Sequence, residues 1–205
     1  MKSTTRGEQR EATRHRLVQC AVEVLLDGGY RALTTGEVQR RSGGSRGALL
    51  HHFPTRADLI SAVVDEIVRR NERAVHAAAA TVPDELRPVE RAVRVLHTAL
   101  SGPDFGAELE LWTAARSDPD LRAALRNAEH RARRDLRRVI DELFGPQLVA
   151  RSNYRLAAQL TTSLLQGIAV AAPLRPGQDR VDELVGAWSS VVEQLLNDSP
   201  QGKGS

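Results

Sequence analysis

The chain has 205 residues, with 29 Lys/Arg, 26 Asp/Glu and a formal net charge of +3. Its 41% apolar and 27% charged content fits a globular protein and excludes a disordered one. The lone cysteine, Cys20, excludes an intrachain disulfide framework, and the lack of alternating β-branched runs between turn residues argues against sheet. An all-α fold is expected. With aromatics at only 3%, its cores must be built from Leu, Val and Ala. Charge is uneven: residues 1–56 hold ten Lys/Arg against five Asp/Glu, and residues 57–205 hold nineteen against twenty-one. A basic end on a slightly acidic body is what a phosphate-binding end shows, and an ordinary solvated helix face gives the same counts.

Residues 1 to about 9 read as a polar tail, in which Lys2 and Arg6 could reach a phosphate. A first helix is expected from about Glu8 or Arg10 to Asp27, with Leu17, Ala21, Val24 and Leu25 on its buried side. Cys20 fits there as a small buried hydrophobe. Gly28 and Gly29 stop the helix, one of them as a left-handed cap. The segment LVQCAVEVLL is interrupted by Gln19 and Glu23, so it is no signal core. No run is expected to be long enough to span a membrane, and a cytoplasmic protein is expected.

From Thr34 to Leu59 the chain reads TTGEVQRRSGGSRGALLHHFPTRADL. Thr34 or Thr35 can cap a short helix, because a hydroxyl there accepts from an amide of the first turn. Gly43 and Gly44 break that helix, and Ser45 caps a second from Arg46 to about His52. Pro54 ends it, since proline donates no amide hydrogen and restricts its predecessor. Thr55 then caps a third helix with Asp58 in its first turn. Helix, glycine turn, helix is the helix-turn-helix unit, although a plain helical hairpin on a surface satisfies the same spacing. Gly36 inside the first short helix should cost about 1 kcal/mol against alanine.

SRGALLHHFPTRADL resembles the recognition segment of the tetracycline-repressor (TetR) family of bacterial transcription regulators. The preceding AVEVLLDGGYRALTTGEVQRRSGGS resembles the first two helices of the same domain. The likeness covers about Arg14 to Leu59 without a gap, and beyond residue 60 it is one of helix layout only. Gly44 stands where the family usually has valine, and Leu50 where it usually has tyrosine, which removes a hydroxyl that often reaches a phosphate. The resemblance implies a homodimer on a palindromic operator in double-stranded DNA. It implies Ser45, Arg46, Gly47 and His51 at the groove, and Thr34, Thr35, Thr55 and Arg56 on phosphates. The implied organisation is a DNA-binding domain over 1–56, an effector-binding and dimerisation domain over 57–198, and a flexible tail over 199–205.

The third helix should continue through Leu59, Ile60, Val63, Val64, Ile67 and Val68 to about Ala80, until TVPDE breaks it. A helix follows from about Asp84 to Leu100, striped by Leu86, Val89, Val93, Leu96 and Leu100, with His97 at the stripe's edge. The next, from about Asp104 to Arg116, puts Phe105, Leu109 and Trp112 on one face, flanked by Glu108 and Arg116, while Glu110 points away. These residues are either core filler with a partly exposed ion pair, or apolar walls with placed polar groups. The resemblance implies an effector cavity, which makes His97, Phe105, Glu108, Trp112 and Arg116 the candidate ligand residues. Asp118 and Pro119 start a long helix to Leu143, with His130 opposite its apolar stripe. The last two helices, about Asn153 to Ala172 and Asp179 to Leu196, carry small residues on the first and an over-wide apolar stripe on the second. Leu164, Gly167, Ile168, Leu184, Trp188, Val192 and Leu195 are the candidate dimer interface, in a four-helix bundle about a two-fold axis.

Catalysis has little to stand on. HExxH, CxxC and phosphate-cradling glycine loops are missing, and adjacent His51 and His52 diverge by about 100° on a helix. No metal and no cofactor is expected, and the chain is read as a non-enzyme. The expected function is a ligand-responsive DNA-binding transcription regulator, a repressor released by a small-molecule effector. A regulator of the same fold controlled by a partner protein or not controlled at all, and a helical interaction module without DNA, remain alternatives.

Overall fold

A computed structural model describes residues 6–174 and 177–198, with side chains for all of these except 128–135 and 178. The readings on Lys2, His130 and the 199–205 tail fall outside what is described. Every regular element among the described residues is helical: α1 (Arg6–Ala32), α2 (Thr35–Ser42), α3 (Arg46–His52), α4 (Arg56–Ala79), α5 (Pro88–Leu100), α6 (Pro103–Ala115), α7 (Pro119–Phe144), α8 (Pro146–Val149), α9 (Tyr154–Ala171), a 3₁₀ turn (Ala172–Leu174) and α10 (Gln178–Asn197). The described residues pack into two compact units, one within 1–70 and 103–133, the other within 71–102 and 134–205. These do not coincide with a boundary after residue 56. The first part of α4, all of α6 and the start of α7 pack with the helix-turn-helix.

In the first unit, α1 contributes Leu17, Val18, Ala21 and Leu25, and α4 contributes Leu59, Ile60, Val63 and Ile67. Around them close Leu33, Val38 of α2, Leu49 and Phe53 at α3, Leu111 of α6 and Leu121 of α7. Each such side chain stabilises the fold by about 1.5–3 kcal/mol on burial. Helix α1 runs past the expected stop, but Gly29 breaks its regularity with φ 69°, a conformation that a Cβ makes costly. Asp118 caps α7 as expected, its Oδ1 accepting from the Leu121 amide at 2.9 Å.

The second unit is built from α5, the end of α7, α9 and α10, around Val93, Leu96, Ile140, Phe144, Leu165, Val185 and Leu196. Tyr154 stacks edge-on to Phe144, with ring centroids 5.5 Å apart, and its hydroxyl donates to Asp141 Oδ1 at 2.6 Å. Asn153 Nδ2 donates to the carbonyls of Leu195 and Asp198, both at 3.0 Å, which satisfies two acceptors at the end of α10.

Two expectations are corrected and one element is added. Helix α5 starts at Pro88, so Leu86 lies before it: Arg87 takes ψ 143°, because a residue preceding proline is pushed out of the helical region. Helix α8 went unforeseen, since four residues are too few to display a period. And Tyr154–Leu174 is, by length and composition alone, apolar enough to cross a membrane, with mean hydropathy 1.2. The polar residues scattered through it hid its summed hydropathy.

Candidate nucleic-acid interface and effector residues

The turn between α2 and α3 is fixed by local chemistry. Thr34 Oγ1 accepts from the Glu37 amide at 3.2 Å, and Gly43 closes α2 in the left-handed region with φ 64°. Ser45 Oγ accepts from the Ala48 amide at 3.1 Å. Thr55 and Asp58 form a reciprocal cap: the Thr55 amide and hydroxyl donate to Asp58 Oδ2 at 3.0 and 2.7 Å, and the Asp58 amide donates back to Thr55 Oγ1 at 3.1 Å. Thr34 and Ser45 therefore keep their O–H hydrogens for an outside acceptor, whereas Thr55 has given its hydrogen to Asp58.

Two apolar residues seat α3. Leu49 and Phe53 are buried, while Ser45, Arg46, Gly47, Leu50 and His51 are exposed. Thr34, Thr55 and Arg56 are also exposed, and Thr35 is half-buried. The Arg14 guanidinium lies over the Phe53 ring at 5.4 Å, closing the end of α3 with a cation. Arg56 lies 5.0 Å over the Tyr30 ring, whose hydroxyl donates to Asp118 Oδ2 at 2.7 Å. Burial and then the Asp118 contact push the Tyr30 hydroxyl up to about 12, so it stays protonated and keeps donating. Burial also holds the His52 imidazole below its ordinary value, helped by the charges of His51, Arg10 and Arg14.

Of the neighbouring arginines on α2, Arg40 is clasped by Glu37 at 2.5 and 2.9 Å, and Arg41 pairs with Asp27 at 2.6 Å. Beneath this surface sits a charge that sequence reasoning missed. Glu66, 2% exposed, accepts from Gln19 Nε2 at 3.0 Å and from Arg69 Nε at 3.0 Å, with Arg70 Nε at 3.5 Å. Arg70 also reaches Gln19 and, at 3.4 Å, Asp104. The network ties α1 and α6 to α4. Its only sequence signal is a glutamate between Val63–Val64 and Ile67 on the apolar side of α4.

The candidate ligand residues divide between the units. Phe105 is buried and meets the partly buried Trp112 edge-to-face, ring centroids 6.1 Å apart and planes at 86°. Glu108 on the same helix is half-buried, and Arg116 is exposed just past the end of α6. The Arg116 carbonyl accepts from Arg122 Nη2 at 2.8 Å, which closes that helix end. His97 belongs to the second unit, with Nε2 3.4 Å from Ser101 Oγ. Burial, with Arg94 adding to it and Asp182 opposing, keeps its imidazole below the ordinary value.

Among the candidate dimer residues, Leu164, Gly167 and Leu184 are exposed, and Ile168 and Leu195 are half-buried. Val192 is 0% exposed within its own unit, so its side chain already has its partners. Trp188 is half-buried, its indole N–H donating to Thr161 Oγ1 at 3.1 Å. Leu164, Gly167, Ile168 and Leu184 line a surface groove of about 390 Å³. Leu156, Leu160 and Val191 are exposed too. The leucines at 156, 160 and 164 repeat at i, i+4 and i+8, a stripe visible in the sequence but left unread there.

A capped helix-turn-helix whose second helix exposes Ser45, Arg46 and His51 has the arrangement of a DNA-binding regulator. Residues 17–63 match the model of the bacterial regulatory proteins of the tetR family, and residues 88–197 match the C-terminal domain of BetI-type transcriptional repressors. The chain belongs to the TetR family. It is 26% identical to an HTH-type transcriptional regulator of Mycobacterium tuberculosis, over 92% of this chain and 96% of that protein. It is also 26% identical to CymR of Pseudomonas putida (94% and 95% covered) and 27% identical to BetI of Cronobacter sakazakii (78% and 79%). Among solved structures it resembles the multidrug binding protein EbrR in complex with imidazole, with TM-score 0.62, 23% identity and coverage of 92% and 97%. A transcriptional regulator of Saccharomonospora viridis in complex with choline has TM-score 0.61, 17% identity and coverage of 89% and 96%. As a member of this family the protein is a transcription regulator that binds DNA.

Proposed function

We propose that the protein is a homodimeric cytoplasmic repressor whose α3 helices read the two halves of a palindromic operator. The observation that carries this reading is the Ser45-capped α3, seated by Leu49 and Phe53 and turning Arg46, Gly47 and His51 outward. An arginine there can pair bidentately with a guanine edge. Thr34, Thr35 and Ser45 supply hydroxyls and Arg56 a charge for the flanking phosphates, which fix register without reading sequence. Thr55 contributes through the helix it caps.

Dimerisation through α9 and α10 is supported by the exposed stripe of Leu156, Leu160, Leu164, Leu184 and Val191, an apolar surface that marks an interface. A protein partner suits this stripe better than lipid. Gln159, Thr162, Ser163 and Gln166 break up the apolar surface of the helix, and Thr161 is spent on Trp188 inside the unit.

Release by a small molecule is supported by the neighbours crystallised with imidazole and choline. Phe105, Glu108, Trp112, Arg116 and His97 remain the residues on which to test it. A ligand releases DNA only by binding the DNA-incompetent state more tightly. Such a protein works by occupancy and needs no catalytic step. The test is selection of a binding site from random duplexes by the purified chain, then a mobility-shift titration. A symmetric site bound by a dimer is expected, and failure to enrich any sequence would overturn the operator reading.

A further inference from the structure

The outer face of α3 carries one side chain that neither charge nor hydrogen bonding accounts for. Leu50 is 42% exposed. At about 100° per residue, Leu50 shares its side of the helix with Arg46, Gly47 and His51. Ala48, Leu49 and His52 turn the other way and are buried or half-buried. One turn before Leu50, Gly47 offers no side chain, and a Cβ built there would meet only Ser45 Oγ, at 3.9 Å. The absence of a side chain at Gly47 leaves that flank open, and Leu50 stands part-exposed on the surface that faces DNA in the reading above.

A leucine cannot donate to a phosphate or to a base edge. What the major groove offers an apolar side chain is the C5-methyl group of thymine, the one apolar mark in an otherwise polar code. Covering it removes apolar area of both partners from water, which is favourable. We infer that Leu50 reads a thymine in each half-site through its C5-methyl group. The inference rests on α3 presenting this face to the major groove.

The test uses the full chain and its selected operator. Each dT is replaced in turn, in both half-sites, by deoxyuridine, which removes the methyl group and leaves every hydrogen bond. Wild type, Leu50→Ala, Arg46→Ala and His51→Ala are titrated against each duplex. At one position per half-site the replacement should weaken wild type about four-fold per half-site, the effect of exposing one methyl-sized group. Leu50→Ala should bind the dT and dU duplexes alike, while Arg46→Ala keeps the dependence. Because Leu50 is exposed, its variant should melt with wild type. A wild type indifferent to every replacement, or a penalty that persists in Leu50→Ala, overturns the inference. If Arg46→Ala and His51→Ala both leave sequence preference untouched, the face assignment itself fails. If they shift it while no dU penalty appears, the leucine reading alone falls.

Discussion

Arg46 and Arg56 carry the same charge in different settings, so they should fail differently. Arg46 is exposed on the outer face of α3, so Arg46→Ala should flatten base preference by about 1–3 kcal/mol at one position per half-site. Arg56 leans on the Tyr30 ring, which holds it beside the start of α4. Arg56→Ala should weaken all sequences alike and lower the salt slope by about one unit. Mobility shifts over a salt series on matched and mismatched duplexes separate the two, and wild-type behaviour from both would sink the assignment. A different test concerns Glu66. Glu66 is buried, but Arg69 is half exposed and Arg70 keeps Gln19 and Asp104, so Glu66→Ala should cost about 1–3 kcal/mol in urea unfolding, chiefly through the hydrogen bonds lost. A loss below about 1 kcal/mol would mean that solvent screens the network. Titration gives a third. Burial disfavours the charged form of His97, so as pH drops below the ordinary imidazole value of about 6.5 the unfolded chain takes up its proton before the folded one does. Stability is then complete above that value and falls as pH drops below it. His52 is shifted the same way. His97→Gln should flatten the fall of the urea midpoint as pH drops below about 6.5, and an unchanged profile would assign it elsewhere.

At the scale of elements, the helix-turn-helix is the most local part of the molecule and therefore the most legible in sequence. Thr34, Gly43, Ser45 and Thr55 act on groups within four residues of themselves. Caps and left-handed glycines need no tertiary context, which is why the bounds of α2 and α3 could be read directly. Ser45→Ala should cost about 1 kcal/mol through loss of the cap, and Ser45→Asp should restore the stability while weakening DNA binding by placing a carboxylate near phosphate. A thermal melt paired with a mobility shift checks both. Helices α9 and α10 are the opposite case. Their sequence shows more apolar width than one neighbour needs, yet it cannot say which residues the protomer's own core takes. Val192 went to that core and Trp188 partly so, while Leu160 and Leu164 did not.

For the whole molecule this division sets the dimer prediction. Leu164→Glu puts a charge on the exposed stripe and should give a folded monomer by sedimentation, with operator affinity greatly reduced. Val192→Glu buries a charge without a partner and should unfold the second unit. A persistent Leu164→Glu dimer would move the interface elsewhere. By itself the sequence determined the all-helical class, the helix-turn-helix and the family resemblance, because composition, period and capping act over a few residues. Only the tertiary structure decided that α6 and the start of α7 pack with the DNA-binding helices. It also paired Gln19 with Glu66 across 47 positions and allotted His97 and Phe105 to different units. Those outcomes depend on which apolar faces meet after distant segments collapse, and no local propensity encodes that choice.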